Sequence, residues 1–383
     1  MMTRREWIRQ AAGITAVAAM PKLIERRGLA QTPANDGHTI SGAGSLKAHA
    51  AARRLLTGCA VNANLFREDE SFRKLLAEQY SIVVPENCLK WNILRPTAET
   101  YNFADADSLV AFAEAHNMKV RGHNFVWHEA LPGWFAGAVN KDNAQKFLVD
   151  HIKTVGGRYK GKIHSWDVVN EAIWIPDGRP DGLRSSSPWF QMLGPTYIDI
   201  AFRTARQADP TALLTYNDYG IEYDNDEEGK KRAAVLALLR RMKADNVPLD
   251  ALGIQSHIKA VTKDGFSKGV QELLDGAKAL GLQVFVTELD VNDDAVATAE
   301  MAERDRIVAG VYRSYLTAAL EGSEVKAVLT WGASDKNTWL NHGTKFRKQH
   351  PDRLQRPLPF DSDYAPAPAF FAMRDCFDKA KKR

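Results

Sequence analysis

Eight short runs rich in apolar and β-branched residues recur along the chain, beginning near Leu55, Tyr80, Met118, Lys162, Leu213, Leu252, Gln283 and Val325. Between them stand helical patterns over Ser71–Gln79, Asp107–Asn117, Asn143–Val155, Tyr197–Ala208, Lys230–Asp245, Val270–Leu280 and Ala302–Leu320. Strands that alternate with helices require crossover connections, hence βαβ units and a parallel sheet. Eight such units predict an α/β fold, a (β/α)8 TIM barrel in a single domain. The competing architecture, an open doubly wound sheet, normally carries a glycine-rich phosphate turn after its first strand. Gly58-Cys59-Ala60-Val61-Asn62 is not such a turn.

The first thirty residues read as an address rather than as part of that domain. Arg4-Arg5 and Arg9 precede a weakly apolar run from Ala11 to Met20, and Gly28-Leu29-Ala30 supplies small residues for cleavage. A charged start, an apolar middle and a small-residue end make a secretory signal. The paired arginines, with Trp7 and Ile8 behind them, resemble a twin-arginine signal, so a periplasmic or secreted location is expected. Residues 31–45 are small and polar and read as a flexible leader. The catalytic domain is expected from 46 to 383. The signal also explains the charge. Of 51 basic and 47 acidic side chains, the first thirty residues hold six and two, which leaves 45 of each. A neutral body shows no global basic signature for nucleic acid. No apolar run reaches the length of a membrane span. Cys59, Cys88 and Cys376 are too few for a disulfide framework, and a free thiol in an apolar stretch usually packs as a small hydrophobe.

The polar residues fall where the apolar runs end. Glu86-Asn87-Cys88-Leu89-Lys90-Trp91 follows the second run, Arg121-Gly122-His123 through Trp127-His128 the third, and Trp166-Asp167-Val168-Val169-Asn170-Glu171 the fourth. Tyr216-Asn217-Asp218-Tyr219, Gln255-Ser256-His257, Thr287-Glu288-Leu289-Asp290 and Thr330-Trp331-Gly332 end the fifth to eighth, with Asp335 and Trp339 just beyond. In a parallel barrel all C-terminal strand ends meet at one face, where active sites of this fold lie. Glu171 and Glu288 end strands nearly opposite each other in the ring, so their carboxylates can converge across the mouth. Two carboxylates flanking a bond are the usual equipment for glycoside hydrolysis, one protonated and one ionised. His257 and Asp290 stand where they can keep Glu288 charged. Trp91, Trp127, Trp331 and Trp339 offer indole faces for sugar rings, and Glu86, Asn87, Lys90, His123, Asn170 and Gln255 offer hydrogen bonds to hydroxyls. Three histidines with a carboxylate would also suit a metallohydrolase, but neither His-x-His nor His-Glu-x-x-His occurs, so no metal and no cofactor are expected.

These motifs together resemble glycoside hydrolase family 10, the endo-β-1,4-xylanases, from roughly residue 50 to 378. Leu131-Pro132-x-Trp134 and Tyr364-x-Pro366-x-Pro368-Ala369 add to the likeness. The resemblance implies a (β/α)8 barrel and retention of anomeric configuration. It implies Glu171 as acid/base and Glu288 as nucleophile, His257 holding Glu288 with Asp290 behind it, and Asn170 on the 2-hydroxyl of the attacked sugar. Glu86, Asn87, Lys90, Trp91, His123, Trp127 and Gln255 would line the subsites, with Trp331 and Trp339 flanking the cleft. Asn124-Phe125, Cys88-Leu89 and Leu340-Asn341 depart from the usual family pattern, and the last, with the basic loop Lys345–Arg356, bears on subsites and product lengths rather than on the reaction. The expected partners are xylan and xylo-oligosaccharides, with no nucleic acid and no membrane, and the expected state is a monomer. Other readings of the same residues are action on cellulose or an aryl cellobioside, a non-catalytic xylan-binding barrel, and a metal-dependent deacetylase or amidohydrolase.

Overall fold

The computed structural model describes residues 39–342 and 344–383. The expected signal over 1–30 and the first part of the leader, 31–38, lie outside the described residues. Of the rest of the leader segment, Thr39 and Ser41 to Ala43 are exposed, Ile40 packs against the core, and the end is anchored. Ser45 is buried and caps the helix Leu46–Ala52, accepting from the Ala48 N–H, and Gln79 accepts from the Leu46 N–H. Such a cap satisfies one of the orphan amides at a helix start.

Nine parallel strands follow in chain order: β1 (Leu56–Val61), β2 (Ile82–Pro85), β3 (Lys119–Val126), β4 (Ser165–Asn170), β5 (Leu213–Asp218), β6 (Ala251–Ile254), β7 (His257–Lys259), β8 (Gln283–Asn292) and β9 (Val325–Thr330). Neighbours pair in sequence from β1 to β6. β6 then pairs with β8, β8 with β9 and β9 with β1, which closes an eight-stranded barrel. All seven helical patterns read from the sequence correspond to helices, shifted by a few residues at their ends. The eighth helix of the ring, Pro368–Lys379, opens on a proline whose fixed φ suits a first helical turn.

The ninth strand was not foreseen, because β7 is three residues long and belongs to no barrel hydrogen-bond ring of its own. β6 stops at Ile254, while β8 continues through Asn292. Ser256, at φ +67, breaks the strand, and β7 resumes the pairing with His257 opposite Asp290.

A small cluster fills the barrel itself: Ala60, Ile82, Val84, Ala251, Phe285, Ala327, Leu329 and Trp331. A far larger one lies between the strands and the helices. Near the interior cluster Arg121 pairs with Asp167 and lies over the Phe285 ring. Gly122 has to be glycine: a Cβ there would sit 2.0 Å from the Trp166 ring of β4. That close approach brings the end of β3, and with it His123, against β4. Among the described residues no helix is long and apolar enough to cross a membrane, and Cys59, Cys88 and Cys376 are free and buried.

Candidate active site

The two glutamates reach the barrel mouth by different routes. Glu288 lies within β8, 5% exposed, and its side chain points inward by strand alternation. Glu171 is the first residue after β4 and takes a left-handed backbone, φ +59, which turns its buried side chain into the mouth.

A chain of amides connects them. Asn217, on β5 directly beside Asn170 on β4, donates from one nitrogen to Glu288 Oε1 at 2.7 Å and to Asn170 Oδ1 at 2.8 Å. Its own oxygen accepts from the Thr287 hydroxyl at 2.8 Å, which settles the orientation of the amide. Gln255 donates to Glu171 Oε1 at 3.0 Å and to Asn170 Oδ1 at 3.3 Å. With two amides donating to its oxygen, Asn170 must direct its nitrogen toward Glu171, 3.3 Å away. Asn217 stood in the polar end of the fifth run but was not singled out as a site residue. Nothing in the sequence separates it from the other polar residues there, and only the pairing of β4 with β5 aims it at Glu288.

The surroundings then drive the two carboxyls apart. Burial raises both. For Glu288 the rise is overcome by the His257 hydrogen bond, by the charges of His123 and His257 and by the Asn217 amide, which hold it at about 2. His257 Nε2 stands 3.3 Å from Glu288 Oε2, and its Nδ1 stands 3.0 Å from Asp290 Oδ1. Burial pulls the imidazole down, but the two carboxylates outweigh it and keep His257 well above the usual histidine range. The Trp339 indole donates to the other Asp290 oxygen at 2.7 Å. For Glu171 burial prevails over the bond from Gln255, and its carboxyl is pushed up to about 7. His128, whose Nδ1 is 4.0 Å from Glu171, is itself lowered to about 4, by burial and then by the charges of Arg184 and Lys231.

The residues expected to meet sugar separate into two groups. Lys90 donates to Asn87 at 3.0 Å, and its ammonium lies 5.1 Å from the Trp127 ring and 5.6 Å from the Trp331 ring. His123 is bound to Asp167 at 2.9 Å and meets the Trp331 ring edge-on. Glu86 and Asn87 are half-buried at the end of β2. Trp339, 41% exposed, meets the His257 ring edge-on at 5.3 Å between centroids. Trp91 departs from the expectation. It is 2% exposed, stacks on His151 at 3.8 Å, packs against Trp189 and Phe135, and donates its indole N–H to the Phe125 carbonyl. The short helix Trp91–Leu94 begins at that residue and turns the ring away from the mouth into the helix layer, so Trp91 has no face to offer a sugar. Of the departures from the family pattern, Asn124 bonds His123 Nε2 at 3.2 Å, Phe125 stacks on Trp166, and Leu340 is buried. Among the described residues, no group of three or more His, Cys, Asp or Glu side chains is gathered closely enough to hold a metal ion.

The family model for "Glycosyl hydrolase family 10" matches residues 45–376. "Endo-1,4-beta-xylanase B" of Thermotoga neapolitana is 33% identical over 316 residues, covering 82% of this chain and 85% of that protein. "Endo-1,4-beta-xylanase A" of Thermoanaerobacterium saccharolyticum is 32% identical over 83% of this chain, which spans only 26% of that longer protein. Among solved structures, xylanase 10B from Thermotoga petrophila in complex with xylobiose superposes with a TM-score of 0.77 at 32% identity, covering 88% of this chain and 97% of that one. With a family model matched over most of its length and relatives of this identity, the chain belongs to glycosyl hydrolase family 10 and is a glycoside hydrolase.

Proposed function

We propose that the protein is a retaining endo-1,4-β-xylanase in which Glu288 is the nucleophile and Glu171 the acid/base. The observation that carries this reading is the contrast between the two carboxyls: Glu288 ionised against His257 and Asn217, Glu171 protonated up to neutral pH. In the first step a Glu288 oxygen attacks the anomeric carbon. The bond to the leaving oxygen breaks, and that oxygen takes the proton of Glu171. In the second step water attacks the same carbon, Glu171 receives its proton, and the ester bond to Glu288 breaks. Two displacements on one carbon return the original configuration, the outcome expected when carboxyls stand about 5–5.5 Å apart. The nitrogen of Asn170 is the donor for the sugar 2-hydroxyl, since its oxygen is already engaged.

Xylan as the substrate rests on the names of the relatives and on the cleft. Lys90, Trp331 and Trp339 wall it, and the hydroxymethyl group that cellulose adds to each ring has to fit between them. Trp91, expected among the subsite residues, is buried and is not part of that wall. A reducing-sugar assay on xylan beside carboxymethylcellulose tests the substrate. Equal kcat/KM on matched xylo- and cello-oligosaccharides would overturn it. Export folded, through the twin-arginine route, rests on Arg4-Arg5 and the weak apolar run behind them. Changing both arginines to lysine should strand the precursor in the cytoplasm, and unaltered export would refute that route. A monomer acting on a polymer in the periplasm or outside the cell completes the reading.

A further inference from the structure

We infer that Arg184 is the positioning residue for Glu171, holding the left-handed peptide from which the carboxyl reaches the leaving group; the inference rests on Glu171 being the acid/base. A side-chain-bearing residue at φ +59 persists only when its surroundings hold it there. On its amide side, Glu171 donates to the Asn217 carbonyl of β5 at 2.9 Å. On its carbonyl side, the partner is Arg184 Nε, also at 2.9 Å. The barrel thus fixes one side of this residue, and Arg184 the other.

Three features separate this role from simple tethering of the loop. The loop after β4 is already closed by backbone bonds: Trp174 N–H to Gly182, and Arg184 N–H to Ala172, with a bridge between Ile173 and Leu183. The Arg184 side chain is surplus to that closure. It is 6% exposed, and among the described residues it forms no ion pair with a carboxylate. A buried cation with no carboxylate in contact is expensive unless its donors are engaged, although its charge helps to hold the Asp177 carboxyl down. Its partners are the Glu171 carbonyl, the Tyr219 hydroxyl at 3.4 Å and the Trp174 ring face at 4.8 Å. Tyr219 is held in turn beneath the Lys231 ammonium, 3.7 Å from its ring, and Lys231 is paired with buried Asp218 at 2.8 Å. The support for Glu171 therefore runs from its backbone through Arg184 and Tyr219 to the Lys231–Asp218 ion pair at the end of β5.

The test compares Arg184→Met, Arg184→Lys and Glu171→Ala with wild type on xylan and on a dinitrophenyl xylobioside. If Arg184 positions the acid/base, Arg184→Met loses on the order of 10²-fold in kcat on xylan, the lower end of what general acid catalysis supplies. Glycosylation by the dinitrophenyl substrate, which needs no proton, stays within a factor of about three. The covalent intermediate accumulates, and azide accelerates its turnover. Arg184→Lys shows the same pattern, because an ammonium lacks the planar donor that meets the carbonyl. Equal losses of glycosylation and deglycosylation would mean that Arg184 only supports the barrel, and full xylan activity would mean that it supports nothing; either overturns the inference. Glu171→Ala separates the two levels. If it shows the leaving-group pattern and the Arg184 variants do not, only the positioning role fails. If Glu171→Ala itself lacks the pattern, the acid/base reading fails with it.

Discussion

The two sides of the barrel mouth hold the same residue type, buried in both places, with opposite outcomes. On the β8 side, Glu288 faces an imidazole fixed by Asp290 and an amide fixed by Thr287, and it stays ionised. On the β4 side, Glu171 receives the Gln255 amide but no cation of comparable closeness, and its proton is retained to about pH 7. Burial is common to both, so burial does not decide the roles. A cation held at hydrogen-bond distance does.

The largest effects come from removing the carboxyls. Glu288→Ala should lose activity about 10⁴-fold or more on every substrate, because no other group forms the bond to the anomeric carbon. Added azide should restore turnover with an inverted product. Glu171→Ala should lose about 10²–10⁴-fold on xylan and far less on a dinitrophenyl glycoside, and azide should then give a retained product. Mass spectrometry of the trapped intermediate checks the assignment, and an adduct on Glu171 would exchange the roles.

His257→Ala should make the β8 side resemble the β4 side. Glu288 loses the hydrogen bond and the charge that oppose its burial, so its carboxyl rises from about 2. The acid limb of kcat/KM should move upward in pH, with a loss in rate of about 10–100-fold at neutral pH. An unmoved acid limb would show that the His123 charge and the Asn217 amide suffice to keep Glu288 ionised.

Stability offers an independent measure of the β4 side. The folded value of Glu171 lies above its unfolded value near 4.5. Between those values the folded state holds a proton that the unfolded state has lost, so stability falls as pH rises through that window. Above pH 7 the ionised, buried carboxylate costs about 3 kcal/mol. Glu171→Gln should therefore gain Tm over wild type above pH 7 and show no gain at pH 4. For Glu288 the sign is reversed: its contribution is present above the unfolded value and is lost as pH falls through about 2. The wild-type alkaline limb of kcat/KM should lie near pH 7, where Glu171 gives up its proton.

The smallest expected effect separates two tryptophans. Trp339→Ala should raise KM about tenfold at most, through loss of a ring face and of the Asp290 bond. Trp91→Ala should leave KM unchanged and lower Tm, since its ring lies in the helix layer.

Residue order was enough to expose the barrel because each βα unit carries its own period and punctuation. The helix Glu70–Gln79, for example, is announced by Asp69, which caps it through the Phe72 N–H. The same order set Glu171, Glu288, His257 and Asp290 in the polar segments that close the apolar runs, although β8 carries on past Glu288 and Asp290 to Asn292. β7 was hidden because three residues carry no readable period, and Asn217 because its role depends on which strand lies beside β5. Trp91 misled for a related reason: an indole at a strand end reads the same whether the next turn faces the mouth or the helices.

What the chain determined by itself, then, is a sequence of local patterns: eight strands, their polar ends, and two glutamates on opposite sides of a ring. Their states were decided only in the folded molecule. Whether a carboxyl keeps its proton depends on the few ångströms around it, and those are occupied by residues from other strands. Glu288 is answered by β5 and β7, and Glu171 by β5, by Gln255 after β6 and by Arg184 from the following loop. Electrostatic and hydrogen-bond energies fall off with distance in space, not with separation along the chain.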